Sequence, residues 1–567
     1  MMEKQSAATG SPVSKAIISA KPHLIAAAAF SGAINILALT GSLFMLQVYD
    51  RVLTSRSLET LLALCLLVLV LYAITAGLEA IRSRLFARIG RHFEMCIREA
   101  AFEAHMRAAL PGSEKASATT LRDLDQVRGF LASGAPSALF DLPWMPFYCI
   151  ILFLLHPYLG VLGLFGVVVL TALTFLSDRA SSPVQRAAGG QAAEASTFAE
   201  NLRLSAETIM PMGLHRAMKS RWLSLSARGG ERIIDASDIA NGYGAVSKWI
   251  RLSLQSMVLA IGALLVIQGA ATGGIMIAAS IILGRALAPV EQAIGHWRGY
   301  LTGKEAYERL NKSLQNLVPD PDTKLPLPKS ELKVLGVGLA KPNSDSAILS
   351  GISFEALAGD CIGIIGPSGS GKSTLIRALL GLWPLAAGKI TVDGSALDQW
   401  SLSDQGRFIG YLPQGVELFP GTIRENISRF LPEASDADVL AASQEAGTDE
   451  LIRSQEGGFD APVGPRGSRF SFGQRQRLAL ARALFGKPFL VILDEPNSAL
   501  DSDGEQALLK AMAGVRARGG IVLLVAHRPN MLQVCNKVLV LAEGRQQAFG
   551  LRDEVLRKVL KPQGEGT

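Results

Sequence analysis

The sequence contains few cysteines and few charged residues for its length, and each shortage excludes a class of protein. Its 567 residues include five cysteines, which are widely scattered and form no C-x-x-C pair. This pattern predicts neither a disulfide framework nor a metal site. Charged residues make up 19% of the chain, whereas hydrophobic residues make up 49%. With a mean hydropathy of +0.29, these values indicate a membrane protein with a soluble part, in at least two domains.

The excess of positive charge is explained better by a membrane than by nucleic acid. The formal net charge is +7, and the arginines and lysines concentrate between apolar segments, as they do in the cytoplasmic flanks of membrane helices. No basic groove with interleaved aromatic residues is evident, so we expect no nucleic-acid partner. Residues 1–22 are polar and lack a signal-peptide pattern, and we interpret them as a cytoplasmic tail.

Six apolar stretches precede residue 300 and predict six membrane-spanning helices. They lie at about residues 23–48, 58–81, 138–155, 159–176, 249–267 and 274–287. Two polar sections between them, residues 82–137 and 177–247, have helical spacing and many arginines, which favours the cytoplasmic side. We therefore expect a multi-pass domain over residues 23–310, surrounded by membrane lipid, with both chain ends in the cytoplasm.

One acidic residue at the start of the third stretch has two interpretations. Asp141 lies in the segment Asp141–Pro146, near the predicted cytoplasmic boundary of the membrane. It can cap a helix or pair with a cation, because charged residues are rarely buried unless they are paired. It can also lie on the path of a transported substrate, because ionisable residues within membranes mark such paths. We favour the first interpretation and leave the second open.

A glycine-rich segment with the pattern G-x-x-x-x-G-K-[ST] lies in the second half of the chain. It follows an apolar run, Cys361–Ile365, that predicts a buried strand, and it precedes a helical run from Leu375. In this context the glycines let backbone N–H groups surround phosphate oxygens at a helix N-terminus. We expect Lys372 to contact the terminal phosphates and Ser373 to bind Mg²⁺. The predicted nucleotide-binding residues are Gly366, Pro367, Ser368, Gly369, Ser370, Gly371, Lys372, Ser373 and Thr374.

A second motif places two carboxylates, Asp494 and Glu495, at the end of an apolar strand. We expect Asp494 to hold Mg²⁺ through its water shell and Glu495 to polarise the water that attacks the γ-phosphate. Gln414 also ends a predicted strand and is a candidate Mg²⁺ ligand or γ-phosphate sensor. His527 follows another apolar strand and is a candidate hydrogen-bond donor to the γ-phosphate. The predicted catalytic residues are therefore Glu495, His527 and Gln414.

In this order and spacing, the motifs resemble the nucleotide-binding domain of ATP-binding-cassette (ABC) transporters. The resemblance implies that Ser471, Gly473 and Gln474 belong to the signature motif, that Asp501 belongs to the D-loop, and that ATP and Mg²⁺ are the cofactors. In that family two copies assemble head to tail, and each ATP lies between the phosphate loop of one copy and the signature motif of the other. One chain carries one of each motif, so the resemblance implies a homodimer.

Over nearly its whole length, the chain resembles the permease/ATPase of type I protein secretion systems. The supporting segments are Leu46–Leu53, Asp141–Trp144, Leu155–Pro157, Ile409–Gln414 and Asp494–Ser498. The resemblance implies ATP-driven export of unfolded polypeptides that carry a C-terminal secretion signal. It implies a location in the bacterial inner (plasma) membrane, with the nucleotide-binding domain in the cytoplasm. It also implies a periplasmic adaptor (membrane fusion) protein and an outer-membrane channel as partners.

Three features depart from the family pattern. Phe472 stands where the signature motif usually has its first glycine, and Pro465 stands where exporters commonly have a glutamate in the coupling loop. No aromatic residue that could stack on adenine occurs between Glu331 and Ser353. None of these changes removes a predicted phosphate-binding, metal-binding or catalytic residue. We therefore expect ATP hydrolysis to survive them.

The expected fold is a membrane α-helical domain of six transmembrane helices, like that of type I ABC exporters, fused to an α/β P-loop NTPase domain. Residues 311–331 form the predicted linker and residues 332–567 the nucleotide-binding domain. Two other functions remain open. A lipid or drug exporter predicts stimulation of the ATPase by small hydrophobic compounds. A membrane-tethered regulatory or assembly ATPase predicts ATP-driven dimerisation without transport.

Overall fold

The chain divides into two compact units, each described here by itself. The helical unit covers residues 1–108 and 115–317, and the α/β unit covers residues 109–114 and 318–567. The structure is a computed structural model, and it describes residues 11–110, 119–315, 317, 325–341, 346–498, 500–526 and 529–560.

The helical unit consists of long helices with short connections. Its helices are α1 (Pro12–Leu37), α2 (Thr40–Gln47), α3 (Leu53–Ser55), α4 (Leu58–Ala108), α5 (Thr120–Ala132), α6 (Ala135–Asp141), α7 (Met145–Leu155), α8 (Pro157–Leu204), α9 (Ala206–Ile209), α10 (His215–Ile267) and α11 (Gly273–Gln315). Helices α4, α8, α10 and α11 are each far longer than the ~20 residues that cross a bilayer. They therefore continue beyond the membrane, as the predicted polar sections require.

Within the described residues, six helical segments are long and apolar enough to cross a membrane, which confirms the predicted number of spans. They lie within residues 12–55, 58–108, 135–155, 157–204, 215–267 and 273–315. The most apolar window of the second segment has no buried residue, and Leu62, Leu66 and Leu69 are all exposed. Because exposed apolar surface is unfavourable in water, this surface is suited to lipid.

Both ends of the helical unit differ from the sequence-based boundaries. Residues 12–22, interpreted as part of a tail, form the first turns of α1, and Val13 is buried against α4, α5 and α11. Ser11 caps this helix, and residues 1–10 of the predicted tail lie outside the described residues. At the other end, α11 continues to Gln315, so the linker does not begin at residue 311. Apolar contacts with distant helices stabilise both ends, and the local sequence pattern does not show such contacts.

Asp141 belongs to a group of polar side chains between apolar helices. Arg82 on α4 donates Nη1 to both carboxylate oxygens of Asp141, at 2.9 and 3.2 Å. Asn35 on α1 donates Nδ2 to Asp141 Oδ1 at 2.8 Å, and the Tyr148 hydroxyl donates to Asn35 Oδ1 at 3.0 Å. The side chains of Arg82 and Asp141 are 11% and 14% exposed. The structure therefore confirms that Asp141 forms an ion pair.

The α/β unit is built on a mixed sheet with the strand order β5-β4-β1-β2-β10-β9-β3-β8-β7-β6. Its strands are β1 (Glu331–Ala340), β2 (Ala347–Leu357), β3 (Cys361–Ile365), β4 (Ala387–Val392), β5 (Ser395–Ala396), β6 (Ile409–Leu412), β7 (Leu490–Asp494), β8 (Ile521–Val525), β9 (Lys537–Ala542) and β10 (Arg545–Leu551). Its helices are α12 (Lys372–Leu379), α13 (Leu402–Phe408), α14 (Ile423–Ile427), α15 (Asp436–Glu445), α16 (Asp449–Arg453), α17 (Phe472–Leu484), α18 (Ser502–Ala517) and α19 (Arg552–Leu560).

Strands β9, β3, β8, β7 and β6 are parallel neighbours. Alternate residues of β7 and β8 pack into two different hydrophobic clusters, one on each face of the sheet. Burial on both faces explains why these strands are continuous apolar runs in the sequence. Because parallel strands end at the same edge, β3, β6 and β7 bring the glycine-rich loop, Gln414 and Asp494 to one edge, where α/β sheets bind ligands.

Candidate nucleotide-binding site

The glycine-rich segment forms a tight loop between β3 and α12. All three of its glycines have positive φ angles, +156° at Gly366, +80° at Gly369 and +97° at Gly371. A Cβ atom on Gly366 would lie 2.1 Å from the carbonyl oxygen of Leu541, and one on Gly371 would lie 2.4 Å from Leu349 Cδ2. Only glycine fits at these two positions. The loop therefore leads directly into the N-terminus of α12, whose first N–H groups have no partner within the helix.

Lys372, the first residue of α12, lies across this loop. Its Nζ donates to the carbonyl oxygens of Gly366 and Pro367 at 2.9 and 3.0 Å. Burial lowers the pKa of Lys372, and the charges of Glu495 and Asp494 act in the opposite direction. A buried ammonium group is costly unless it is paired, so an anionic phosphate at this loop would stabilise it.

Ser370 gives a second indication of a ligand at the loop. Its side chain is buried, and its Oγ has no hydrogen-bond partner among the described residues. A buried hydroxyl without a partner is costly, and a phosphate oxygen would satisfy it. The other predicted loop residues follow the same path: Pro367, Ser368 and Gly369 are exposed at the tip, and Ser373 and Thr374 are half-buried in the first turn of α12.

Strand β7 ends at Asp494, whose carboxylate lies beside the start of α12. Burial raises the pKa of Asp494 and the charge of Glu495 raises it further, while a hydrogen bond from Ser373 opposes the rise. Oδ1 of Asp494 has no hydrogen-bond partner in the described part of the chain. A carboxylate oxygen beside a serine hydroxyl fits Mg²⁺, which usually takes one or two carboxylates and completes its shell with phosphate and water. The described residues include no group of three metal-binding side chains that would replace those ligands.

The turn after β7 brings two predicted catalytic residues together. Glu495 has a φ angle of +51°, which is rare for a residue with a side chain and is found where strain serves a function. Gln414, just beyond β6, donates Nε2 to Glu495 Oε2 at 3.0 Å. Gln476 on α17 donates to the carbonyl oxygen of Pro496 and so holds the same turn. The structure therefore places Glu495 and Gln414 in contact at the edge that carries the phosphate loop.

The third predicted catalytic residue, His527, lies outside the described residues, so its role stays a prediction. Strand β8, which precedes it, ends at Val525. Val525 is in register with Ile364 of β3 on one side and with Asp494 of β7 on the other. Strand β8 therefore lies between the strand that leads to the phosphate loop and the strand that ends at Asp494.

The predicted signature residues lie at the N-terminus of α17. Ser471 Oγ accepts a hydrogen bond from the Gln474 backbone N–H at 3.3 Å, and Gln474 Oε1 accepts one from the Ser471 N–H at 3.0 Å. Gly473 lies between them in the first turn. The ring of Phe472, which is 38% exposed, lies 5.6 Å from the guanidinium carbon of Arg475. The N-terminus of a helix is suited to an anion. Ser471 and Gln474 bond each other within this turn and do not contact the glycine-rich loop of the same chain.

Asp501, predicted in the D-loop, connects to the same helix. It accepts hydrogen bonds from the Gly504 N–H at 2.9 Å and from Arg477 Nη2 at 2.7 Å. The hydrogen bond from Gly504 lowers the pKa of Asp501, and the charge of Arg477 lowers it further. Because Arg477 lies on α17, the ion pair joins the predicted D-loop to the helix that begins at the predicted signature residues.

Comparison with known proteins identifies the family. The ABC transporter model matches residues 349–498, and the ABC transporter transmembrane region model matches residues 24–287. The type I secretion system ATP-binding protein PrsD of Rhizobium meliloti is 46% identical over 536 residues, which cover 94% of this chain and 92% of PrsD. The chain belongs to the ABC transporter family. Within it, the chain groups with the type I secretion system ATP-binding proteins.

Other matches to this ABC transporter also extend over both units. The alpha-hemolysin translocation ATP-binding protein HlyB of Escherichia coli O157:H7 is 28% identical, over 93% of this chain and 76% of HlyB. The structure of a bacterial Atm1-family ABC exporter with ATP bound superposes with a TM-score of 0.82 and 22% identity, over 95% of this chain and 96% of that one. That likeness shows the fold. The predicted fold class, the binding of ATP, a transport-coupled ATPase and a multi-pass membrane protein are confirmed.

Arg429 is a partly buried residue of the ABC transporter that the sequence did not indicate. Its guanidinium donates to the carbonyl oxygens of Arg482 and Ala483, at the end of α17, at 2.9 and 3.0 Å, and to that of Ile409 at 3.2 Å. Burial lowers the pKa of Arg429 to about 10, and the charge of Arg482 contributes. Arg429 thus holds the end of α17 against β6, the strand that leads to Gln414. Every residue has a backbone carbonyl oxygen, so a side chain that binds such oxygens requires no particular residue types as partners. The sequence therefore contains no pattern from which the role of Arg429 could be predicted.

Proposed function

We propose that this ABC transporter is a homodimeric exporter of unfolded polypeptides in the bacterial inner membrane. The observation that carries the proposal is the 46% identity to PrsD across both units. The α/β unit alone would fit any ABC ATPase, whereas similarity through the helical unit extends to the part that contacts cargo. By their names, PrsD belongs to a type I secretion system and HlyB acts in alpha-hemolysin translocation.

The layout of the ATP site supports the homodimer. Each chain has one phosphate loop and one signature helix, and Ser471 and Gln474 bond each other rather than that loop. A second copy in the opposite orientation would supply the missing half of each site, and two-fold symmetry would complete both sites at once. Asp501, joined to the signature helix through Arg477, would lie at the same interface.

Within each site, the residues divide the work of hydrolysis. The loop N–H groups and Lys372 hold the phosphates in place. Ser373 and Asp494 would hold Mg²⁺, which when bound neutralises charge on the phosphates. Glu495 orients the attacking water and accepts its proton, and Gln414 fixes the Glu495 carboxylate through the 3.0 Å hydrogen bond. We keep His527 as the proposed donor to the γ-phosphate.

The proposal also includes the cellular location and the partner proteins that the sequence resemblance implies. The arginine-rich helical extensions favour the cytoplasmic side of the membrane, and the α/β unit lies in the cytoplasm. A periplasmic adaptor protein and an outer-membrane channel continue the path, and the cargo carries a C-terminal secretion signal.

Export of a co-expressed protein tests this proposal. Cells with the transporter, an adaptor and an outer-membrane channel express a candidate cargo with an intact C-terminus, and the cargo in the medium is measured. Glu495→Gln should reduce ATP hydrolysis by roughly 10²–10⁴-fold and abolish export. Glu543→Gln is the matched control, because Glu543 is also a glutamate with positive φ, +49°, and is exposed outside the site.

Two results would contradict the proposal. If wild-type cells retain the cargo while the purified protein hydrolyses ATP, export of this cargo class is wrong, and ATPase stimulation by lipids or small hydrophobic compounds becomes the next assay. The homodimer is tested by mixing chains with Lys372→Ala and Ser471→Arg. A mixed dimer contains one intact site, so the mixture should regain ATPase activity that neither variant has alone. A mixture that stays inactive would contradict the head-to-tail arrangement.

A further inference from the structure

A polar cavity of about 540 Å³ lies among α8, α10 and α11 of the helical unit. Ser177 and Ser181 line it just after the fourth apolar stretch, and Ser247 and Lys248 line it just before the fifth. The lining residues of α11 follow the sixth stretch. The cavity therefore lies where three membrane spans continue into their polar extensions. Its volume is within the range of ligand pockets, roughly 300–1,000 Å³.

Several side chains that line the cavity are small and polar, and one of their hydroxyl groups has no hydrogen-bond partner among the described residues. Ser181 and Ser247 are 2% and 1% exposed. Ser181 Oγ donates to the Ser177 carbonyl oxygen at 2.8 Å, whereas Ser247 Oγ has no hydrogen-bond partner within the described residues. Asn241 adds an amide to the wall, and Gly244 adds no side-chain bulk. A buried hydroxyl without a partner is unfavourable, so Ser247 indicates a ligand with hydrogen-bonding groups.

Positive charge exceeds negative charge around the cavity. Lys248 and Arg298 line it, and neither forms an ion pair with another described residue. Glu291, the acidic residue of the lining, pairs with Arg251 at 2.8 Å. The nearby carboxylate of Asp178 accepts a hydrogen bond from the Trp297 indole at 2.6 Å. The charged residues of the lining are therefore two cations and one carboxylate, and the carboxylate is already paired.

We propose that this cavity binds an extended, acidic segment of the polypeptide cargo at the cytoplasmic mouth of the membrane domain. The inference rests on the proposed export function and adds a cargo site to it. Hydroxyl and amide groups pair with the main-chain N–H and C=O groups of any sequence. Small side chains let a backbone approach, and the unpaired cations Lys248 and Arg298 favour carboxylates. A cavity of this size admits a few residues of extended chain but no folded domain.

Peptide binding to the full-length transporter in phosphatidylcholine nanodiscs tests the inference. The probe is a fluorescein-labelled peptide of Glu, Gly and Ser, and the comparison peptide has Lys in place of each Glu. Fluorescence anisotropy should show at least tenfold tighter binding of the Glu peptide. The double variant Lys248→Glu/Arg298→Glu should weaken that binding at least tenfold and favour the Lys peptide.

Control variants separate the cavity from general effects of charge and packing. Arg216→Glu/Lys219→Glu reverses two exposed cations elsewhere on α10 and should bind like wild type. Ser247→Val fills part of the cavity and should weaken binding several-fold, whereas Ser224→Val, at an exposed serine of α10, should not. Basal ATPase activity and thermal unfolding, which should match wild type, exclude misfolded variants from the comparison.

The possible outcomes distinguish the proposed cargo site from the proposed export function. Wild-type affinity in the Lys248/Arg298 variant would overturn the site, even if export is normal. Loss of peptide binding in that variant without any loss of export would overturn its role in cargo binding. Displacement of the peptide by phosphatidylglycerol in the nanodisc, dependent on the same two cations, would assign the cavity to lipid headgroups instead. Peptide binding without export in any cargo assay would overturn the proposed function and leave the site.

Discussion

Replacing Asp141 with leucine should destabilise the helical unit strongly, although the new side chain is apolar and similar in size. The carboxylate accepts hydrogen bonds from Arg82 and from Asn35, and the Arg82 side chain is only 11% exposed. Asp141→Leu leaves the guanidinium buried without its anion. Breaking one side of a buried ion pair costs about 3–5 kcal/mol, because the uncompensated charge remains.

The double variant Arg82→Met/Asp141→Leu should recover most of this loss. Removing both charges of a buried pair and replacing them with apolar side chains is often neutral or stabilising. Asn35 still donates to the Ser31 carbonyl oxygen at 2.8 Å. We therefore expect the double variant within about 1–2 kcal/mol of wild type, which means a coupling free energy of at least about 1 kcal/mol between the two positions.

Thermal unfolding of the purified transporter in detergent measures these differences, and the export assay then separates structure from transport. Glu200→Leu is the control, because Glu200 and Arg203 form an exposed pair, 54% and 71% exposed, whose loss should cost less than about 1 kcal/mol. A cost for Asp141→Leu no larger than for Glu200→Leu would refute the reasoning. A double variant that unfolds like wild type but exports no cargo would favour the transport-path interpretation of Asp141.

Three further predictions concern single positions. Asp494→Asn should raise the melting temperature of the nucleotide-free protein at neutral pH. Burial raises the pKa of the Asp494 carboxyl in the folded protein, so its ionisation at a pH above that pKa lowers the stability of the fold. In melting curves at decreasing pH, this gain should shrink as the carboxyl becomes protonated in both the folded and the unfolded state, and a pH-independent gain would contradict it. Gly371→Ala should weaken nucleotide binding in a fluorescent-ATP assay, because Gly371 has a φ of +97°, which residues with a side chain rarely adopt, and the new Cβ would lie 2.4 Å from Leu349 Cδ2. Asp50→Ala should cost about 1 kcal/mol in thermal unfolding, because Asp50 accepts hydrogen bonds at the start of α11, from the Gly274 N–H at 2.9 Å. An unchanged melting temperature would show that this cap does not stabilise the fold.

The parts of the fold that could be predicted are those in which one physical requirement repeats over many residues. A membrane span needs a long apolar run, and all six runs became helices of sufficient length. A strand buried on both faces needs a continuous apolar segment, as in β3, β7 and β8. Because these strands are parallel, the residues after them share an edge. The proximity of Lys372, Asp494, Glu495 and Gln414 follows from that topology.

The parts that could not be predicted depend on single partners far away in the sequence. Asp141 is 59 positions from Arg82, and nothing near either residue identifies the other. The first turns of α1 are stabilised by distant helices through Val13, although the surrounding segment is polar. Arg429 bonds carbonyl oxygens, which every residue carries. A local sequence pattern identifies a membrane span or a buried strand, because many neighbouring residues share one requirement. It contains very little information about a single contact between two distant residues.

Phe472 and Pro465, two residues near α17 that depart from the family pattern, are connected through the side chain of Arg475. The guanidinium of Arg475 lies over the Phe472 ring at 5.6 Å, and its Nη1 donates to the Arg466 carbonyl oxygen at 3.3 Å, in the turn that begins at Pro465. A cation–π contact of this exposed kind contributes about 0.5–1 kcal/mol. Phe472 and the turn at Pro465 are therefore coupled through Arg475. Phe472 has ordinary helical geometry at the first position of α17, and the cap formed by Ser471 and Gln474 does not require a glycine there. The replacement thus alters the surface beside the helix N-terminus and leaves its capping intact, which is why hydrolysis should persist despite it.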